Sequence, residues 1–381
     1  MKVVYCIIDT SQIGGMERII SCKANYLADE LGYDVTIITT DRENKENFYH
    51  FSDKIKFIDF GINYKKIIQY PFWERLKEQI KKRKEHKNKL EKYLLSENPD
   101  IIISTYTHEF TLLPKIKTKS KKIGEIHFSK QYNAIEANNR KQSFFNKMMS
   151  CMAEHRKHLF ISKYDKFIVL TEVDKKKWRK ITNVECINNI LPFYPRESAE
   201  LNIKRIISVG RLTFQKGYDM LIEAWMEIIL DFPEWKLDIF GAGEDYGFLS
   251  SQITLKKLEN SVTINKPTDN IVSEYLNSSV YVMSSRYEGF PMTLIEAQSC
   301  GLPCISFDCP NGPAEIIRDG EDGFLIESGN IQELADKMKL LMSNSDLRKE
   351  MGMKAKQNVI RFSPAVIMKK WDLLFHNLIQ S

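Results

Sequence analysis

No stretch of the sequence approaches the roughly 20 consecutive apolar residues that a membrane-crossing helix needs. The opening run Lys2–Ile8 is cut off by Asp9, too short for a secretory hydrophobic segment, and predicts a buried first strand instead. A cytoplasmic protein is therefore expected. Cysteine is sparse: seven residues, an odd number, with no disulfide framework. Cys300, Cys304 and Cys309 cluster in sequence, but no His follows them at zinc spacing. Reduced, partly buried thiols are expected. Asp-x-Asp, His-Glu-x-x-His and the calcium loop are all missing, so metal-assisted chemistry lacks its ligands. Neither a metal nor a cofactor is expected. Gly-x-Gly-x-x-Gly is missing too: Gly14-Gly15 does not fit it, and Gly241-Ala242-Gly243 with Gly247 misses the spacing.

What is present suits a soluble two-domain enzyme. The 381 residues, 43% hydrophobic and 28% charged, are enough for two cores. The net charge of +6 hides an asymmetry. Up to Tyr194 there are 36 Lys/Arg against 24 Asp/Glu, and beyond it 20 against 26. The basic first half suits an anionic surface. No nucleic-acid partner is expected.

Short apolar runs alternate with helical stretches throughout. Strands are predicted at Val3–Ile8, Val35–Thr39, Ile55–Ile58, Ile101–Ser104, Ile123–His127 and Phe167–Leu170. They resume at Ile206–Val209, Leu237–Phe240, Val262–Ile264, Val280–Met283, Pro303–Ser306 and Gly323–Ile326. Apolar runs without alternation, separated by helices, predict parallel sheets covered on both faces, here twice: an α/β protein. Pro192 and Pro195 with the polar run to Asn202 mark the linker, giving domains at 1–194 and 195–363. Ser363-Pro364 opens a last helix, with Ile367, Trp371, Leu374 and Phe375 on one face. Trp73–Lys92 reads as a Lys-rich helix flanked by Tyr70-Pro71-Phe72-Trp73, and Phe144–Met149 is a second basic, aromatic segment. Both suit a lipid headgroup layer; the plainer reading is a solvated face.

Four groups of residues can carry chemistry. Ser284–Ala297 follows a predicted strand, so its loop lies at a carboxyl strand end, where open α/β sheets bind ligands. Gly289 permits close approach, and a helix starting near Met292 offers free N–H groups to phosphate. Glu288 and Glu296 can face one cleft and bind sugar hydroxyls; the alternative is a helix with an acidic first turn. Gly210-Arg211-Leu212-Thr213-Phe214-Gln215-Lys216-Gly217 also follows a strand, and Arg211 and Lys216 can reach a diphosphate from one loop. Gly14-Gly15-Met16-Glu17-Arg18 opens the first helix and is either a close-approach loop or a simple turn. His127 is expected at the mouth of the first domain, with His108 a weaker candidate.

Together, Gly14-Gly15-Met16-Glu17, Gly210-Arg211 with Lys216, Glu288-Gly289-Phe290-Pro291 through Glu296-Ala297, and Gly301-Leu302-Pro303 resemble the family-four retaining glycosyltransferases of the GT-B fold. Phe307–Ile317 with Asp319-Gly320 and Gly323 resembles the branch that builds bacterial capsule, exopolysaccharide and N-glycan precursors. The resemblance implies two Rossmann-like domains facing a central cleft, the first for the acceptor and the second for the donor. It implies that residues 364–381 cross back to the first domain. It also implies transfer of a hexose or N-acetylhexosamine from a UDP-sugar, with no metal. The acceptor would be a growing surface glycan, expected to be linked to polyprenyl diphosphate, at the inner membrane face. Arg211 and Lys216 would neutralise the leaving diphosphate, Glu288 would hold sugar hydroxyls, and Glu296 would hold the ribose. Gly210 and Gly289, and the backbone of Phe290, Pro291, Met292, Thr293 and Leu294, would line the donor. Gly15 would approach the diphosphate, and His127 would contact the sugar. Asn265-Lys266-Pro267 departs from the glycine many relatives carry near the base. A nicotinamide oxidoreductase and a two-lobed sugar-binding protein are the rival readings; the first lacks its glycine fingerprint and the second an export segment.

Overall fold

The computed structural model describes residues 1–12, 14–129, 152, 159–178 and 181–380. Among these the chain divides into two compact units, Met1–Ile190 with Pro364–Ser381, and Leu191–Ser363. The passage between them precedes the Pro192–Pro195 pair, because the Leu191 amide already donates to the Phe362 carbonyl at 2.8 Å.

The first unit is built on seven parallel strands: β1 (Lys2–Cys6), β2 (Asp34–Thr39), β3 (Lys56–Asp59), β4 (Ile101–Ser104), β5 (Lys121–Glu125), β6 (Lys166–Val169) and β7 (Val184–Cys186). Their order is β3-β2-β1-β4-β5-β6-β7. Val3, Val4, Ile101, Ile102 and Ile103 are fully buried, as strands covered on both faces require. Helices α1 (Gly15–Asp29), α2 (Phe72–Glu97) and α3 (Glu172–Lys177) accompany this sheet. α1 turns Ile19, Ile20, Ala24 and Leu27 inward at helical spacing. Strand β7 was not expected; Val184-Glu185-Cys186 is too short and too polar to announce itself. β5 ends sooner than expected. The Ile126 amide makes the last bond to β6, at the Ile168 carbonyl, so His127 lies in the loop beyond the strand.

The second unit has six parallel strands: β8 (Arg205–Val209), β9 (Lys236–Phe240), β10 (Val262–Asn265), β11 (Val280–Met283), β12 (Cys304–Phe307) and β13 (Gly323–Ile326). Their order is β10-β9-β8-β11-β12-β13. Between and after them come α4 (Tyr218–Met226), α5 (Tyr246–Leu255), α6 (Ile271–Leu276), α7 (Met292–Ser299), α8 (Pro313–Ile316), α9 (Ile331–Ser343) and α10 (Ser345–Asn358). α4 ends at Met226, and just beyond it the Ile228 amide turns back to the Trp225 carbonyl in a tighter turn. Trp225 and Trp235 fill the core beneath α4 and α9.

Helix α11 (Pro364–Gln380) closes the chain as part of the first unit. Ile367, Trp371, Leu374 and Phe375 are its buried face, and it packs on α1. The Tyr33 hydroxyl donates to Asp372 there. Among the described residues no helix is long and apolar enough to cross a membrane. The segment Phe144–Met149 lies outside them.

Candidate functional site

In the second unit the chain leaves β8 for β9 and β10 on one side, and returns to β11 on the other side of β8. The loops after these two neighbouring strands therefore diverge at their carboxyl ends. Such a switch point is where open α/β sheets form a ligand crevice. The two loops are Gly210–Gly217 and Ser284–Pro291, the pair singled out from sequence.

The structure bolts them together. Lys216 Nζ lies 2.6 Å from Glu288 Oε1, and the Ser285 hydroxyl donates to the same oxygen at 2.7 Å. The Lys216 carbonyl accepts from the Ser284 hydroxyl at 3.0 Å. Arg286 donates to both carboxylate oxygens of Asp219, at 2.9 and 2.6 Å, and stacks 4.0 Å above the Phe214 ring. Two glycines make this fit possible. A Cβ at Gly217, where φ is +63°, would fall 2.1 Å from the Ser284 carbonyl oxygen; one at Gly210 would press on the Lys216 stem and the Tyr218 hydroxyl. Glu288 and Lys216 are only 8% and 15% exposed in their side chains, so their ion pair sits at low dielectric. Burial pushes the nearby Cys309 thiol well up, and the Glu288 charge adds to the shift, leaving an inert thiol.

The other predicted donor residues fall into place variously. Arg211 is exposed on the same loop as Lys216. Met292 and Thr293 are half-buried at the start of α7, whose N-cap Pro291 offers no side-chain oxygen, so its first amides face outward unmet by a cap. The Leu294 amide, by contrast, is taken by the Pro291 carbonyl at 3.1 Å. Gly289 is half-buried, while the Phe290 side chain packs edge-on against Phe362 at 5.4 Å. Glu296 is buried in α7 and accepts from the Tyr275 hydroxyl at 3.3 Å. Ser285, Gly217 and the Arg286–Asp219 pair were not assigned roles from sequence, although Ser285 and Gly217 stand inside the quoted motifs.

In the first unit the switch point lies between β1 and β4. Gly14 and Gly15 sit in the loop after β1, and Gly15 begins α1; a Cβ there would meet nothing within 4 Å, so the structure gives it no steric reason to be glycine. His127 follows β5, one strand over from β4. Its side chain is 8% exposed, and neither ring nitrogen makes a hydrogen bond. Burial lowers its pKa, the Glu125 carboxylate opposes this, and Lys23 reinforces it. Lys23 and Glu125, missed from sequence, form a buried ion pair at 2.6 and 2.7 Å. The one local signal was a lysine on the otherwise apolar face of α1. His108 stacks on Tyr64, 3.8 Å between centroids, in the turn after β4. Among the described residues no group of His, Cys, Asp and Glu is arranged to hold a metal ion.

Three comparisons bear on this site. The family described as Glycosyl transferases group 1 matches residues 194–358, which include Gly210–Gly217 and Ser284–Pro291. An uncharacterized glycosyltransferase from Haemophilus influenzae is 28% identical over 376 residues, 97% of this chain and 98% of that one. The amylovoran biosynthesis glycosyltransferase AmsD of Erwinia amylovora is 37% identical over 218 residues, 55% of this chain and 61% of its own length. The crystal structure of a TarM variant from S. aureus, in complex with UDP and alpha-GlcNAc-glycerol, superposes with a TM-score of 0.77 at 18% identity, over 98% and 99% of the two chains. That likeness establishes the fold. Residues 194–358 thus match the glycosyltransferase group 1 family, and the chain has a GT-B architecture of two parallel-sheet α/β units.

Proposed function

We propose that this protein is a retaining, metal-independent glycosyltransferase that moves a hexose or N-acetylhexosamine from a UDP-sugar to a growing bacterial surface glycan. The observation that carries the reading is the Lys216–Glu288–Ser285 cluster at the β8/β11 switch point. It sets a cation for a diphosphate beside a carboxylate for sugar hydroxyls, which is the chemistry a nucleotide sugar presents. The names of the relatives support the substrate class: one is an amylovoran biosynthesis glycosyltransferase, and TarM was crystallised with UDP and alpha-GlcNAc-glycerol. UDP-hexoses are themselves alpha-linked, so an alpha product favours retention.

In this reading the acceptor hydroxyl attacks C1 on the face from which UDP departs. The bond from C1 to the phosphate oxygen breaks, the bond from C1 to the acceptor oxygen forms, and the hydroxyl proton passes to the departing phosphate. Negative charge grows on that phosphate. Lys216, Arg211 and the first amides of α7 are fixed to meet it, so catalysis is chiefly electrostatic. Glu288 holds the donor sugar and Glu296 the ribose, and His127 is a further contact of the sugar. Membrane contact is part of the proposal, through the stripe formed by Ile68, Trp73, Leu76 and Ile80. These side chains are 72%, 76%, 56% and 62% exposed, beside exposed Lys77, Lys81 and Lys84. The acceptor is then a polyprenyl-diphosphate-linked glycan.

The test is release of UDP from a panel of UDP-hexoses and UDP-N-acetylhexosamines, with and without lipid-linked acceptors, in buffer containing EDTA. Turnover of at least one donor at an unchanged rate in EDTA is expected. Complete inactivity with every donor, or strict dependence on added divalent cation, would overturn the reading. Binding of NAD in preference to UDP, measured by calorimetry, would favour an oxidoreductase instead.

A further inference from the structure

Lys23 and Glu125 are each only 1% exposed, although one lies on α1 and the other at the end of β5. The ammonium touches both carboxylate oxygens, and its other side lies 3.7 Å above the centre of the Trp371 ring on α11. The Tyr5 ring of β1 is 5.6 Å away, and its buried hydroxyl makes no hydrogen bond. Glu125 is also the carboxylate next to His127: Oε1 lies 3.5 Å from Nε2, with no hydrogen bond between them. The charged and titratable groups described around the imidazole are thus Glu125, Lys23 and, behind them, Tyr5.

A lone buried carboxylate at 3.5 Å would favour an imidazolium. A carboxylate paired to an ammonium favours it less, and burial of the ring already disfavours the charged form. We propose that Lys23 is a positioning residue for transfer: clamped between Glu125 and Trp371, it cancels the carboxylate's charge and so keeps His127 an uncharged ring. The inference rests on the reading above, in which the donor sugar meets His127. An uncharged imidazole offers that sugar one donor and one acceptor nitrogen. An imidazolium would place positive charge beside a sugar carbon that is itself becoming positive. The arrangement also makes α11 a wall of this site, since Trp371 holds the far side of the ammonium.

The test is Lys23→Met, read by NMR titration of the His127 ring in labelled protein and by the pH profile of kcat/KM for the UDP-sugar found in the donor screen. With its cation gone, the Glu125–His127 pair should take up a proton. The His127 titration and the acidic limb of the profile should both move up by about one pH unit or more. The double variant Lys23→Met/Glu125→Gln, which removes both charges, should return them to wild-type positions. If Lys23→Met does not fold, Lys23→Gln keeps a hydrogen-bond donor to the carboxylate without the charge and should give the same displacement. Folded variants whose His127 titrates as in the wild type, or a double variant that stays displaced, would overturn the proposal. The ring titration decides the matter even if no donor is turned over, and that second result would sink only the enzymatic reading.

Discussion

Lys216 and Ser285 both meet Oε1 of the mostly buried Glu288 carboxylate. Lys216→Ala should therefore lower kcat/KM for the UDP-sugar roughly a hundredfold. It should also cost stability on the order of 2 kcal/mol, as a mostly buried carboxylate loses its partner. Steady-state kinetics and a denaturant titration of the same preparation check both. Glu288→Gln keeps the shape and should lose activity with less damage to stability. A second residue-scale prediction concerns His86, buried on α2 against Tyr64, whose hydroxyl lies 3.1 Å from Nδ1. Burial, helped by the neighbouring His108, Arg83 and Lys89, pulls its pKa from 6.5 down to about 3. The sign follows directly. Between those values the unfolded chain binds a proton that the folded one refuses, so stability rises with pH there. The contribution is complete above pH 6.5 and is lost as the pH falls towards 3. Each pH unit within the window costs about 1.4 kcal/mol. His86→Gln should flatten this part of the stability profile, visible as an acid-unfolding midpoint at lower pH than in the wild type.

At the scale of elements, α2 is the helix whose outer face needs explaining. Trp73, Leu76 and Ile80 recur at helical spacing on its exposed side, with lysines along the border. The chain should co-sediment with vesicles containing anionic lipid and release at high salt. Trp73→Ser/Ile80→Ser should abolish binding while leaving UDP release on a soluble acceptor within about twofold, since neither residue touches the donor loops. Unchanged sedimentation would remove this face from consideration. Elements differed in how plainly the sequence announced them. The Ile- and Val-rich runs of β1, β4, β8 and β11 were readable because strands covered on both faces carry no alternation. The edge strand β7 was not, since Val184-Glu185-Cys186 pairs along one side and has little apolar content of its own. The donor loops were legible because each places glycine and charge directly after a strand. The Lys216–Glu288 contact spans 72 residues and Lys23–Glu125 spans 102, so no local pattern encodes either. Only the strand order, which brings distant loops side by side, makes them visible.

The whole molecule consists of two units with separate cores, so a single unfolding transition is not expected. UDP should act on one of them. At a hundredfold excess over its dissociation constant it should stabilise Leu191–Ser363 by about 2.7 kcal/mol and leave the other transition in place. Calorimetric scans with and without UDP, compared with the same scans on Lys216→Ala, measure this; equal shifts in both transitions would contradict binding of UDP by the loops of the second unit.

Helix α11 ties the end of the chain to its beginning. Residues 364–381 belong to the unit that starts at Met1, and Trp371 covers Lys23 there. Before residues 364–381 are made, the unit that contains Met1 therefore lacks Trp371, and that ammonium has no cover on its far side. A chain terminated early, or clipped near its carboxyl terminus, exposes the defect at the opposite end of its sequence.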